Sequence, residues 1–225
     1  MPHYLIICPL KKELTYLMEG FSKSNWKFKA QSTNRLSLFQ NQSPMITLAI
    51  GGHGKVQFGI QTQHLLSHFT DVTNVFCIGA GGGLTENIKI GDIVVSEKII
   101  EHDYKQKYNR TIKFPEFAGN PEFLLKAKNV SLNKNYDVHF GAIASGDEDI
   151  VDAERARELF TTTQALAVAW EGSGGARACA FNKIPYLELR TITDNSRDGV
   201  SESFAMNLQI CMHNVANYIH ELLKI

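Results

Sequence analysis

The stretch Asn74-Val-Phe-Cys-Ile-Gly-Ala-Gly-Gly-Gly83 carries a short apolar run straight into a cluster of glycines. A continuous apolar run of this length reads as a strand buried on both faces. The glycines after it predict a tight strand-to-helix turn that only glycine accommodates. The same pattern recurs upstream. Residues 45–50 form a strand that enters Gly51-Gly-His-Gly54, and the helix after it carries Phe58, Thr62, Leu65, Leu66 and Phe69 as its inner stripe. Residues 4–8 form a strand stopped by Pro9, followed by a helix over 11–19, and residues 36–39 add a further strand. Downstream, strands are predicted over 93–100, 138–144, 165–169 and 186–192. Helices are predicted over 121–128, 152–160, 175–181 and 204–223. Residues 103–120 read as a long irregular loop. Strands alternating with helices predict one α/β domain over residues 1–225, with a sheet containing parallel pairs covered by helices on both faces in a three-layer α/β/α sandwich.

Composition narrows the functional classes. Lys+Arg and Asp+Glu both number 23, so no basic field for nucleic acid or an anionic membrane is expected. No apolar run approaches the ~20 residues of a membrane span, and no secretory signal is read at the N-terminus. Cys8, Cys77, Cys179 and Cys211 lack metal or redox spacing and are expected to be buried thiols of a reducing, cytoplasmic protein. Two glycine motifs fail as cofactor signatures. Gly79-Ala-Gly81-Gly-Gly83-Leu84 puts leucine where a dinucleotide fingerprint needs its third glycine, and Gly54-Lys55 is followed by Val56 where a P-loop needs Ser or Thr.

In sheets of this kind ligands bind beyond the carboxyl ends of strands. Residues with chemistry collect there: Glu13, the 51–55 turn, the 79–83 glycines, 145–149, Glu171 and Asp194. In order and spacing, Pro9-Leu-Lys-Lys-Glu13, Gly51-Gly-His-Gly-Lys55-Val56, Gly79-Ala-Gly-Gly-Gly-Leu84, Ile90-Gly-Asp-Ile-Val-Val95, His102-Asp103, Ser145-Gly-Asp147, Trp170-Glu171-Gly172 and Arg190-Thr-Ile-Thr-Asp194 run nearly end to end. Together they resemble the nucleoside phosphorylase/nucleosidase superfamily, and within it the methylthioadenosine/S-adenosylhomocysteine nucleosidases. The resemblance implies a mixed, partly barrel-like sheet and hydrolysis of a purine–ribose bond, with adenine released in methionine salvage. It also implies a homodimer, a small-molecule purine nucleoside as partner, and no metal or cofactor.

Cleavage of that bond makes the ribose an oxocarbenium-like cation. It needs a proton for the leaving purine, an activated water and a grip on the sugar. By resemblance Asp194 supplies the proton, Glu13 orients the water and Glu171 binds the ribose hydroxyls. Trp170, Ala80, Gly81, His53, Asp149, Ile150 and Phe204 are expected to shape the substrate pocket. On residue type alone Asp194 also reads as an Asx-turn, Glu13 as a solvated helix charge, Glu171 as a helix-terminal carboxylate and Arg190 as a structural ion pair.

Phosphorolytic relatives hold phosphate with arginines and a serine. Here Cys77 and Ala80 stand at two of those positions, which favours water as the nucleophile. Asp149 stands where relatives place an aromatic. His53 and Lys105 suit a polar or acidic 5′ group, as in futalosine-like nucleosides. A phosphorylase and a non-catalytic nucleoside sensor stand as further alternatives.

Overall fold

The computed structural model describes residues 2–22, 24–33, 35–104, 113–131, 135–197 and 199–224. Lys105 lies outside the described residues. In chain order the elements are β1 (His3–Cys8), α1 (Lys11–Phe21), β2 (Lys29–Ser32), β3 (Ser37–Gln42), β4 (Met45–Ile50), α2 (Lys55–His68), β5 (Asn74–Gly83) and β6 (Ile93–Glu101). They continue with β7 (Glu116–Ala118), α3 (Pro121–Lys128), β8 (Val138–Ser145), α4 (Ala153–Thr163), β9 (Ala165–Ala169), α5 (Gly172–Asn182), β10 (Tyr186–Asp194) and α6 (Val200–Leu222).

Strand alternation divides the core. On β1, Tyr4, Ile6 and Cys8 join one apolar cluster with Leu14 and Leu17 of α1 and Met212 and Val215 of α6. Leu5 and Ile7 face the other way, into a cluster with Phe58 and Leu65 of α2 and Cys179 of α5. Strand β5 repeats the split, with Phe76 and Ile78 on the first side and Val75 and Cys77 on the second. Each fully buried Leu, Ile or Phe contributes about 1.5–3 kcal/mol, so a strand buried on both faces is held twice over.

Strand β5 is the hub of the sheet. Its first half pairs in parallel with β1, from Tyr4 opposite Asn74 to Ile7 opposite Cys77. Its other edge pairs in parallel with β10 along nearly its whole length. Strand β1 ends at Cys8, because Pro9 has no N–H to donate. The edge it leaves is taken up by β9, antiparallel, only at Gly82 and Gly83. Strands β5, β10, β6, β8 and β9 thereby close a ring, filled by Val94, Ile143, Ala167 and Ile192. Strands β4, β3 and β2 extend the sheet beyond β1.

Three features differ from the expectation. Residues 79–83 are not a turn: they continue β5, and the lack of side chains at Gly79, Gly81 and Gly82 serves close approach by neighbours. Residues 116–118 of the expected loop pair with β6 as β7. Residues 29–32 form β2, an exposed edge strand whose polar sequence carries no apolar period. All four cysteines are free and buried. No helix among the described residues is long and apolar enough to cross a membrane.

Candidate active site

The gap on β5 between the end of β1 and the arrival of β9 opens into a cavity of about 290 Å³. Its wall includes Glu13, His53, Ala80, Gly81, Asp149, Ile150, Trp170, Glu171, Asp194 and Phe204, so the three expected site carboxylates and the seven residues expected to shape the pocket come to one place. Pro9, Leu10, Glu148, Arg190, Thr193, Ser196 and Val200 join them. Of these, Arg190 had the reading of a structural ion pair, which the geometry bears out, and it also reaches the cavity wall.

Glu13 sits in the first turn of α1 and is only 2% exposed, which removes the solvated reading. Its Oε2 accepts the Leu10 N–H at 2.7 Å, capping the helix start, and its Oε1 accepts the Ala80 N–H at 2.7 Å. That second donor lies on β5 where β1 has stopped. Burial pushes the Glu13 carboxyl up to about 7, against the pull of Arg190 and the two N–H bonds; Glu171 adds to the rise.

Glu171 precedes α5, where the helix dipole favours a negative charge. Its Oε2 accepts from Arg190 Nη2 at 3.1 Å and its Oε1 from the Gly54 N–H at 3.3 Å. Both Gly52 and Gly54 have positive φ (84° and 82°), a backbone that L side chains rarely adopt. This turn delivers the Gly54 N–H to Glu171 and lays His53 over Trp170, ring centroids 4.2 Å apart and nearly parallel.

Asp194 ends β10 beside an irregularity in register after Ile192. It is 6% exposed and accepts from the Ser196 N–H and the Thr193 hydroxyl, each at 2.9 Å. The Asx-turn and the cavity position therefore coexist. Burial raises the Asp194 carboxyl above its ordinary value, and those two hydrogen bonds oppose the rise. Ser203 and Asn207 of α6 donate to the Thr193 carbonyl at 2.9 and 3.1 Å, fixing the strand end. The Ser196 hydroxyl is buried without a hydrogen-bond partner among the described residues. The Asp194-Asn-Ser196 turn was its only signal in the sequence.

The glycines of β5 make room for this arrangement. A Cβ at Gly79 would stand 2.8 Å from both Arg190 Nη1 and Glu13 Oε1, and one at Gly82 would meet Ser196 Oγ and stand 2.9 Å from Asp194 Oδ1. The lining holds one guanidinium, Arg190, and it is engaged by Glu188 and Glu171. Lys55 is not free for an anion either, since it pairs with Glu101 and Asp103. Lys11 is exposed and does not line the cavity. No group of three or more His, Cys, Asp or Glu suited to a metal occurs among the described residues.

Comparisons with known proteins agree with this architecture. The 5′-methylthioadenosine/S-adenosylhomocysteine nucleosidase of Thermotoga maritima is 28% identical over 170 residues, covering 73% of this chain and 72% of that protein. The aminodeoxyfutalosine nucleosidase of Helicobacter pylori is 29% identical over 185 residues, 79% of each chain. The solved structure of the Helicobacter pylori 5′-methylthioadenosine/S-adenosylhomocysteine nucleosidase with butyl-thio-DADMe-Immucillin-A superposes with a TM-score of 0.88 at 23% identity, covering 100% of this chain and 98% of that one. A family model described as the phosphorylase superfamily matches residues 3–224, and the chain belongs to that superfamily.

Proposed function

We propose that this protein is a purine nucleosidase that hydrolyses the N-glycosidic bond of 5′-methylthioadenosine and S-adenosylhomocysteine, releasing adenine. The observation that carries the reading is the convergence of three differently held carboxylates, Glu13, Glu171 and Asp194, on one cavity at the strand ends. Asp194, raised by burial, gives a proton or hydrogen bond to the purine ring nitrogen as the bond to ribose breaks. Glu171 keeps lone pairs beyond those taken by Arg190 and Gly54, and with them accepts the ribose hydroxyls. Glu13, titrating about 7, takes a proton from the water that attacks the cationic sugar. Hydroxide ends on the ribose and a proton on the purine, so the step balances as hydrolysis. The engagement of Arg190, and of Lys55 outside the cavity, supports water over phosphate as nucleophile.

Similarity to an aminodeoxyfutalosine nucleosidase supports a second substrate reading. The exposed His53 imidazole stacked on Trp170 gives the site a polar, flat wall suited to a larger 5′ substituent. We also propose a homodimer, because Val56 and Ile60 of α2 and Phe181 of α5 leave an apolar face exposed, and a cytoplasmic location, supported by four free, buried cysteines.

The test is incubation with methylthioadenosine, S-adenosylhomocysteine, adenosine, inosine, futalosine and aminodeoxyfutalosine, with and without phosphate, following free base and sugar. Adenine and free sugar without phosphate are expected, with the 5′-thio nucleosides ahead of adenosine. Sugar phosphate formed only when phosphate is present would overturn hydrolysis. Release from none would leave a nucleoside sensor as the better reading.

A further inference from the structure

The reaction just described uses three carboxylates, yet a fourth is buried beside them. Glu188 of β10 is 0% exposed. Its Oε1 accepts from Arg190 Nε at 2.6 Å, while its Oε2 has no hydrogen-bond partner among the described residues. Burying a charge with one oxygen unpaired is costly, and an apolar residue would pack this strand more simply. Space is nevertheless kept for it, since a Cβ at Gly172 would overlap Oε2. The Glu188 N–H is satisfied separately, by Ser96 Oγ at 3.0 Å.

Arg190 connects Glu188 to the site. It is 1% exposed and donates to Glu188, to Glu171 Oε2 and, from Nη1 at 3.1 Å, to the Ala80 carbonyl. The N–H of that same Ala80 is held by Glu13. One guanidinium thus lies between a carboxylate outside the cavity wall and two that line it. A guanidinium facing only Glu171 and Glu13 would hold both firmly ionised and leave Glu13 a weak base. Burial pushes the Glu188 carboxyl above its ordinary value, while the charge and hydrogen bond of Arg190 oppose the rise and favour the anion, which on the far side cancels part of that field.

We propose that Glu188 is a positioning residue for hydrolysis: it fixes Arg190 between the reacting carboxylates and offsets its charge, so that Glu13 keeps enough basicity to activate water. This rests on the reading of Glu13 as the base. The charged and titratable groups around the pair are Arg190 and Tyr186 on β10, Cys77 on β5, Cys8 at the end of β1, Glu171 ahead of α5 and Glu13 itself on α1. Arg190 is the one permanent cation in this group.

The test is the titration of Glu13 in the full-length, substrate-free protein carrying glutamate labelled with ¹³C at the side-chain carboxyl, its resonance assigned with Glu13→Gln. In Glu188→Gln, which keeps an acceptor for Arg190 Nε and removes the charge, the Glu13 midpoint is expected to fall by about one pH unit. The acid limb of kcat/KM for methylthioadenosine is expected to move with it. Gly172→Ala, whose methyl would overlap the Glu188 carboxylate and displace it from its bond to Arg190 Nε, is a second variant expected to shift the midpoint the same way and carries the test if Glu188→Gln does not fold. An unchanged Glu13 midpoint in a folded variant would overturn the proposal and leave Glu188 a structural ion pair. If the wild-type protein releases no base, the nucleosidase reading fails, while the substrate-free titration still reports on Glu188.

Discussion

Asp194 satisfies two demands with one side chain. Its hydrogen bonds to Ser196 and Thr193 lock the carboxylate in place, while burial keeps it more easily protonated than an exposed aspartate. Asp194→Asn preserves the size of the group and removes the proton. It is expected to lower kcat for methylthioadenosine by about 10²–10⁴, with KM within a few-fold, measured as adenine release. Glu13 plays the opposite part and must be ionised to take a proton from water. Because its carboxyl titrates about 7, kcat/KM is expected to rise with pH as Glu13 ionises, and to fall again as Asp194 loses the proton it must donate. Glu13→Gln should abolish the rising limb along with most of the rate while retaining ligand, and a variant that keeps wild-type kcat would sink the assignment. These residues were legible through the order and spacing that carry the resemblance, Glu13 after the Pro9 stop of the first strand and Asp194 before the Asn195-Ser196 turn; residue type alone read them as a solvated helix charge and an Asx-turn. Glu188 was not legible, because a charge inside an apolar strand has no local pattern and its meaning depends on Glu171 and Gly172 arriving from elsewhere to meet it and its strand neighbour Arg190.

At the scale of the element, the glycines of β5 expose the limit of local reading. A glycine cluster after an apolar run signals a turn, but the same residues occur where side chains from three directions crowd one strand. Gly79 has no positive φ; what requires it is the approach of Arg190, Glu13 and Pro9. Gly79→Ala is therefore expected to displace Glu13 or Arg190, cutting kcat/KM at least tenfold and lowering stability by about 1–3 kcal/mol. Adenine release and thermal unfolding would measure the two effects. Wild-type rates in that variant would mean that the packing around position 79 relaxes without displacing the carboxylates. The 51–54 turn was read correctly, since Gly52 and Gly54 do take the left-handed backbone. Strand β7 was hidden because its three residues depend on β6 for pairing and carry no period of their own.

At the scale of the whole molecule, the site exists because two strands share one edge of β5 and neither covers its middle. A cavity buried this way stores free energy in its carboxylates. Glu13 shifts from an ordinary 4.5 to about 7 on folding, so the folded chain binds this proton more tightly than the unfolded one. The favourable contribution is fully present below about pH 4.5 and is lost as pH rises through about 7. Ionised Glu13 thus makes the enzyme less stable at the pH where it is active. Glu13→Gln cannot ionise, though its amide meets two N–H donors where the carboxylate accepted both. That mismatch is a constant penalty, independent of pH, so the informative quantity is the change in the Tm difference between variant and wild type. Between about pH 5 and 8 this difference is expected to move in favour of the variant by on the order of 3 kcal/mol, or several degrees for a chain of this size. A Tm difference that stays flat across that window would show that Glu13 does not change its proton affinity on folding, and the account of it as a buried, neutral-range base would fail with it.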